Sequence, residues 1–295
     1  MSNNKPDFSS LEDLARRLRI DSLVAIYHAG SGHPGGALSA AELIAYVSTQ
    51  VLRWSIGDKS QDGRDRFVLS KGHSCPVLYS AAAESGIIPR STLLKFRKLG
   101  SPLQGHPHVG DTPWVETSTG SLGQGFSAAI GMAMGLRYQK MSSRVYAMLG
   151  DGEMQEGEVW EGAMCAGHYK LDNLCAILDY NKLQSDDFNE NIMGLAPLGP
   201  KWEAFRWHVV EIDGHDFVSI RAAFDEASRT QGKPTMIVAH TIKGKGVSFM
   251  ENSPLWHGSV KLRDDELHKA LRELQVLEQD VERYLDGSMW QNGNC

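Results

Sequence analysis

The pattern that most constrains this chain is a Gly-Asp-Gly turn between two apolar runs. Gly150, Asp151 and Gly152 follow the run at residues 144–149, and 28 residues separate them from Asn181. A second run, residues 174–179, ends just before Asn181, and residues 157–168 between them have a helical pattern. A strand–turn–helix–strand unit places Asp151 and Asn181 at the carboxyl ends of two strands, where open α/β sheets bind ligands.

These residue types suit a divalent metal ion and a diphosphate. Gly150 and Gly152 allow close approach of the backbone to a phosphate, and the following helix offers its first N–H groups. Magnesium prefers oxygen ligands and usually bridges to phosphate oxygens, and the Asp151 carboxylate, the Asn181 amide and the Leu183 carbonyl would supply three. A Gly-Asp-Gly turn alone is common, so further motifs are needed to decide whether this one binds a metal ion and a diphosphate.

Composition excludes several classes of protein. The 295 residues suggest one large domain or two small ones, and the net charge of −6 gives no basic footprint for nucleic acid. The four cysteines are scattered, which favours a reducing compartment. We find no run of 18 apolar residues and no signal-peptide core, and we therefore expect a cytoplasmic protein.

Alternating strands and helices predict an α/β fold, with a doubly wound, mainly parallel sheet and helices on both faces. A Ser9-x-x-Glu12 capping box is expected to open the first helix, which runs to about residue 29. Further helices are predicted at 39–52, 77–84, 123–138 and 217–230, and further strands at 66–69, 208–212 and 235–240. We expect a surface loop at 182–200, a C-terminal helical stripe ending at Gly287, one domain over 1–287 and a short polar tail, 288–295.

Four histidines lie in glycine-containing turns outside the predicted helices: His33 (SGHPGG), His73 (SKGHS), His106 (QGHPH) and His257 (WHGS). Such turns at strand or helix ends predict a cleft whose histidines bind phosphates and hydroxyls and move protons near neutral pH. The His106-Pro-His108 pair is also compatible with a zinc site, although no cysteine or acidic ligand is spaced to complete one.

The motifs AGSGHPGGALSAAELI, DRFVLSKGHS, QGHP, TSTGSLGQG, GDG…YN, WHVVEIDGHD and TIKGKG…HG occur in one order over roughly residues 10–262. In this order and spacing the chain resembles the N-terminal third to half of a transketolase. The resemblance implies the thiamine diphosphate-binding fold and, specifically, its diphosphate-binding domain. It also implies Mg²⁺ and thiamine diphosphate as cofactors, with Asp151, Asn181 and the Leu183 carbonyl as metal ligands.

The resemblance further implies a role for each motif residue. Gly152, Asn181 and His73 would face the diphosphate. The loop Gly120, Ser121 and Leu122 would lie under the aminopyrimidine ring.

By the same resemblance, His33 and His257 would face the thiazolium ring and the sugar hydroxyls, and His106 would handle the proton of a substrate hydroxyl. Glu156 and Glu161 match acidic positions at the subunit interface of relatives, although an exposed helical pair explains them nearly as well. Ser121 stands where many relatives have proline, His108 stands where they have an acidic residue, and the loop at 247–256 also differs.

In transketolases a glutamate on a later pyrimidine-binding domain activates the cofactor, and the chain has no recognisable copy of that domain. The resemblance therefore implies the N-terminal subunit of a split transketolase, which transfers a two-carbon ketol unit from a ketose to an aldose. Its partner would be a C-terminal subunit carrying the pyrimidine-binding domain, in an assembly such as α₂β₂. The ketose and aldose pair stays open among pentose phosphates and branched or sulfonated sugars.

Other functions are compatible with parts of the sequence. An α subunit of a 2-oxo acid dehydrogenase also carries a GDG…N half-site, but SGHPG and TIKGKG…HG argue against it and against a deoxyxylulose-phosphate synthase fragment. A non-catalytic binding subunit is disfavoured by the complete set of histidines and metal ligands. The glycine-rich stretch at 120–125 does not follow the GxGxxG spacing of nicotinamide-binding proteins.

Overall fold

Five parallel strands form the centre of the molecule. The computed structural model describes residues 8–53 and 63–290. The strands are β1 (Arg66–Leu69), β2 (Val145–Gly150), β3 (Leu174–Tyr180), β4 (His208–Asp213) and β5 (Thr235–His240). Their order across the sheet is β1-β2-β3-β5-β4, and every pairing is parallel. The predicted parallel sheet is thereby confirmed.

Eleven α-helices are present in the described part of the chain. They are α1 (Ser9–Ala29), α2 (Pro34–Ser39), α3 (Ala41–Tyr46), α4 (Cys75–Glu84), α5 (Gln124–Tyr138), α6 (Gly157–His168), α7 (Asn189–Ile192), α8 (Leu198–Ala204), α9 (Phe217–Arg229), α10 (Asp264–Glu273) and α11 (Glu278–Leu285). The strands alternate their side chains between two separate cores, so that Tyr146 and Met148 face one while Ala147 and Leu149 face the other.

The two cores lie on opposite faces of the sheet. One contains apolar residues of α1, α3, α4, α9, α10 and α11, and the other contains those of α5, α6 and α8. Gly167 allows α6 to pack closely on the second core, because a Cβ there would lie 1.9 Å from the Phe205 carbonyl oxygen. Both faces of the parallel sheet are covered, which confirms the doubly wound architecture.

Helix α1 spans Ser9–Ala29, as predicted, although Phe8 rather than Ser9 is its N-cap residue. Another predicted boundary is wrong. The predicted helix over 39–52 begins earlier, at Pro34, and a break at Ala40 divides it into α2 and α3. A π-helical turn, Val47–Val51, follows α3. Proline at the first helical position explains the earlier start, since its fixed φ and missing N–H suit that position.

The C-terminal part also differs from the predicted continuous stripe. Helix α10 ends at Glu273, Gln275 has a φ of +62°, and α11 begins at Glu278. Leu277, at the break, is exposed, whereas Leu267, Leu271 and Val281 are buried as the stripe predicts.

Two segments are more ordered than predicted. The loop at 182–200 contains α7 and the start of α8, and it buries Leu183, Leu195 and Leu198. The predicted polar tail begins with a 3₁₀ turn, Ser288–Trp290, that buries Trp290 in the first core; residues 291–295 lie outside the described residues. Within the described ranges no helix combines the length and hydropathy that crossing a bilayer requires.

Candidate active site

The carboxyl ends of four strands meet at one cavity of about 370 Å³. Lys71 and His73 follow β1, Asp151 follows β2, Asn181 follows β3 and Lys243 follows β5. The cavity is lined by ten of the eleven cofactor, metal and catalytic residues predicted from the sequence: His33, His73, His106, Gly120, Leu122, Asp151, Gly152, Asn181, Leu183 and His257. A ligand site at this sheet edge is what the parallel topology predicts.

The Gly-Asp-Gly turn is tied to the segment after β3 by the buried Asp151 carboxylate. One oxygen accepts a hydrogen bond from Gly152 N–H at 2.8 Å, and the other accepts from Lys182 N–H. The Asn181 amide oxygen accepts from Leu183 N–H at 3.2 Å. Asp151, Asn181 and Leu183 are buried residues that line the same cavity, and we refer to the Asp151 carboxylate, the Asn181 amide oxygen and the Leu183 carbonyl oxygen as the oxygen group.

Lys243 contacts this oxygen group, and no role was predicted for it. Its ammonium donates to the Leu183 carbonyl oxygen at 2.8 Å and lies 2.5 Å from Nδ1 of His257. Burial lowers the pKa of Lys243 to about 8, and the Asp151 charge opposes that shift. Burial, together with the nearby Asp179, raises the pKa of Asp151 to about 6.

A buried ion pair supports the floor of the cavity. Lys71 donates to the Asp179 carboxylate and, at 3.0 Å, to the Gly36 carbonyl oxygen. Asp179 also accepts from Ser39 at 2.6 Å and from Thr241. Because both charged side chains are almost fully buried, the four contacts that compensate their desolvation also fix the ends of β1, β3 and β5 relative to α2.

Glu153 connects two of the predicted loops. Its carboxylate accepts from Gly150 N–H at 3.0 Å, from Gly123 N–H at 2.9 Å and from the Ser70 hydroxyl. The side chain is buried. It thus holds the Gly-Asp-Gly turn, the loop at 120–123 and the end of β1 in one arrangement.

The four predicted histidines form one cluster, which we call the histidine cluster (His33, His73, His106 and His257). The His33 ring centroid lies 5.3 Å from that of His73, 5.9 Å from that of His257 and 6.4 Å from that of His106. His73 and His257 are 5.5 Å apart. Residues from four distant parts of the sequence therefore meet at the mouth of the cavity.

Burial favours the neutral form of each ring in the histidine cluster. It lowers the pKa of His33 to about 4, with a further contribution from Arg97, and it lowers the pKa of His257 to about 3, with a further contribution from Lys243. Burial also lowers the pKa of His73 and of His106. Neutral imidazoles each carry one donor and one acceptor nitrogen, which suits them to hydroxyl binding and proton transfer.

The predicted aminopyrimidine loop is only partly in the cavity. Gly120 has a φ of +139°, and a Cβ there would lie 2.9 Å from the His106 ring, so that glycine is required at this close approach. Gly120 and Leu122 line the cavity, whereas Ser121 is exposed and does not. Glu156 lines the cavity rim, and Glu161 is exposed on α6 away from it.

The sequence of this chain matches the model of a known family. A family model described as "Transketolase, thiamine diphosphate binding domain" matches residues 10–280. The chain belongs to the transketolase family. It is 41% identical over 275 residues to the 6-deoxy-6-sulfo-D-fructose transketolase subunit SqwG of Clostridium sp. (strain MSTE9), covering 93% of this chain and 98% of that protein.

Full-length transketolases are similar over a smaller share of their length. The transketolase of Rattus norvegicus is 45% identical over 259 residues, which are 86% of this chain and 41% of that protein. The solved transketolase of Campylobacter jejuni superposes with a TM-score of 0.86 at 29% identity, over 97% of this chain and 48% of that one. The chain thus spans less than half the length of these two transketolases and nearly all of SqwG.

Proposed function

We propose that this chain is the thiamine diphosphate-binding subunit of a two-chain transketolase. The observation that carries the proposal is its match over 98% of a relative named as a transketolase subunit. A second polypeptide would then supply a pyrimidine-binding domain, in an α₂β₂ or similar assembly. Glu156 and Glu161 would contribute to subunit contacts. Three free cysteines among the described residues accord with a cytoplasmic location.

Magnesium fits the oxygen group at the Gly-Asp-Gly turn. Within the described residues, no three His, Cys, Asp or Glu side chains are grouped to hold a metal ion, which leaves the zinc alternative at His106 and His108 unsupported. Asp151, Asn181 and the Leu183 carbonyl instead form a hard-oxygen set with a single carboxylate, which suits a Mg²⁺ ion completed by diphosphate oxygens. Gly152, His73 and Lys243 would face that diphosphate.

The thiamine cofactor, when bound, supplies the carbanion that cleaves and transfers the two-carbon unit. This chain's part is to bind, orient and move protons. His33 and His257 would bind the sugar hydroxyls, and His106, at the exposed rim, would exchange the proton of a substrate hydroxyl. Their lowered pKa values keep them neutral at physiological pH, so each retains a nitrogen lone pair for that exchange.

The substrate class we propose is a ketose donor and an aldose acceptor, each carrying an anionic group. SqwG is named for a sulfonated ketose, whereas the full-length relatives are named only as transketolases. Relatives of both kinds match this chain, so phosphorylated and sulfonated ketoses are both to be tested. The match to the transketolase model over residues 10–280 favours this function over a 2-oxo acid dehydrogenase subunit or a non-catalytic subunit.

Co-purification and assay test the proposal. The chain is expressed alone and together with a polypeptide that carries a transketolase pyrimidine-binding domain, and ketol transfer from fructose 6-phosphate and from 6-deoxy-6-sulfofructose is followed. We expect turnover only from the pair. Turnover by the chain alone would contradict the two-chain arrangement, and absence of thiamine diphosphate binding by either preparation would contradict the cofactor role.

A further inference from the structure

We propose that Arg97 is a positioning residue that holds His33 in one tautomer, with the proton on Nε2. The proposal rests on the proposed function only in that it gives His33 its place among the substrate-binding groups. Arg97 lies outside every motif that the sequence singled out. Its contact with His33 joins residues 64 positions apart.

The guanidinium of Arg97 contacts two members of the turn that carries His33. Nη1 donates to the Ser31 hydroxyl at 2.8 Å, and Nη2 lies 3.3 Å from Nδ1 of His33. Within the described part of the chain, no carboxylate lies within ion-pairing distance of Arg97, and its buried Nε has no partner. The two terminal nitrogens of Arg97 therefore each face one acceptor, which is the Ser31 hydroxyl for Nη1 and the His33 ring nitrogen for Nη2.

A guanidinium has five N–H donors and no acceptor. The 3.3 Å contact is therefore a hydrogen bond only if Nδ1 of His33 is the unprotonated nitrogen. A proton on Nδ1 would place two N–H groups against each other. In a neutral ring, Nε2 must then carry the proton, and no described residue accepts it.

The backbone around Arg97 holds the guanidinium in place. Arg97 has a φ of +58°, a conformation that costs a non-glycine residue about 1 kcal/mol or more and persists where surrounding contacts enforce it. Its N–H donates to the Leu103 carbonyl oxygen at 2.8 Å. Gly105 makes room for it, because a Cβ there would lie 2.7 Å from Nε of Arg97.

In the cleft, the donor and acceptor nitrogens of His33 are therefore fixed. With Nδ1 occupied, the ring presents Nε2–H as a donor, so a sugar oxygen that meets it must act as the acceptor. The other charged or titratable groups around the ring are His73, His106, His257 and Lys243. None of the three other rings is hydrogen-bonded to His33 in the described structure.

Nitrogen NMR of the full chain labelled with ¹⁵N-histidine tests the proposal without cofactor or partner. The His33 signals are assigned by their loss in His33→Gln. In the wild type we expect an unprotonated Nδ1 and a protonated Nε2. In Arg97→Met we expect a mixture of tautomers and a His33 titration midpoint raised by about one unit or more, since a neighbouring positive charge is removed.

Arg97→Lys is expected to give a lower His33 midpoint than Arg97→Met, because it keeps a donor cation at the same position. Arg229→Met, which removes an exposed arginine at the end of α9, serves as the matched control and should leave the His33 spectrum unchanged. A wild-type His33 protonated on Nδ1 would overturn the proposal. Identical tautomer and midpoint in wild type and Arg97→Met would overturn it as well. Thiamine diphosphate binding, measured on the same wild-type sample, separately tests the proposed function.

Discussion

The ammonium group of Lys243 lies 2.8 Å from the backbone carbonyl oxygen of Leu183. The same group lies 2.5 Å from Nδ1 of His257. One buried cation therefore contacts a proposed metal ligand and a member of the histidine cluster. It connects the diphosphate end of the cavity to the end where the sugar would bind.

Lys243→Met is expected to weaken thiamine diphosphate binding in the presence of Mg²⁺ by about tenfold or more. A charge-assisted hydrogen bond to an anion contributes about 1.5–3 kcal/mol, and 1.4 kcal/mol corresponds to a tenfold change in affinity. Isothermal titration calorimetry measures the change. Lys245→Met, two residues later and outside this cavity, is the matched control. Equal affinities for the two variants would contradict a diphosphate role for Lys243.

Glu153→Ala is expected to lower the free energy of unfolding by about 2–4 kcal/mol, because its removal leaves buried N–H groups of Gly123 and Gly150 without their acceptor. Glu153→Gln should lower the free energy of unfolding by less, since its amide oxygen can still accept a hydrogen bond from one of these N–H groups. Urea unfolding provides the measurement. The exposed Glu161 on α6 gives the control, Glu161→Ala, which should change stability by less than about 0.5 kcal/mol. An unchanged free energy of unfolding in Glu153→Ala would refute the structural role of this carboxylate.

Asp21 is expected to make the stability of the chain depend on pH. Burial raises its pKa from 3.8 to about 7, although Arg90, 3.4 Å away, opposes the shift. The folded chain therefore binds this proton more tightly than the unfolded chain. The resulting stabilisation is complete below the unfolded pKa and is lost as the pH rises through the folded pKa.

The substitution Asp21→Asn removes this dependence. Relative to wild type, the variant should gain on the order of 2–3 kcal/mol of unfolding free energy between pH 5 and pH 8, at about 1.4 kcal/mol per pKa unit. Urea unfolding at the two pH values measures it, with the exposed Asp186→Asn as control. A difference between variant and wild type that is the same at both pH values would show that Asp21 titrates normally.

The residues at the strand ends were predictable from the sequence. Apolar runs ending in Gly150-Asp151 and before Asn181 define parallel strands, and parallel strands bring their carboxyl ends to one edge. The histidine cluster followed from four glycine-flanked turns, because such turns accompany strand and helix ends. Helix boundaries were less predictable, since the break at Ala40 and the positive φ of Gln275 depend on packing rather than on a local turn signal.

The supporting residues were not predicted, for a different reason. Glu153, Lys71 and Arg97 each have a partner 30 or more positions away, and no local spacing encodes such contacts. Lys243 lies three residues after the end of β5 and directly before Gly244, so its position at the ligand edge could be predicted from the sequence. The burial of Lys243 against Leu183 could not be predicted, because a lysine is ordinarily expected at the surface.

We expect the Gly-Asp-Gly turn to bind the cofactor diphosphate through Mg²⁺. Titration of the full chain with thiamine diphosphate, with Mg²⁺ and with excess chelator, tests it most directly when wild type and Asp151→Ala are compared. We expect binding that requires Mg²⁺ in the wild type and is lost in Asp151→Ala, while circular dichroism shows both folded. Binding that persists in chelator, or that is equally strong in folded Asp151→Ala, would contradict the account.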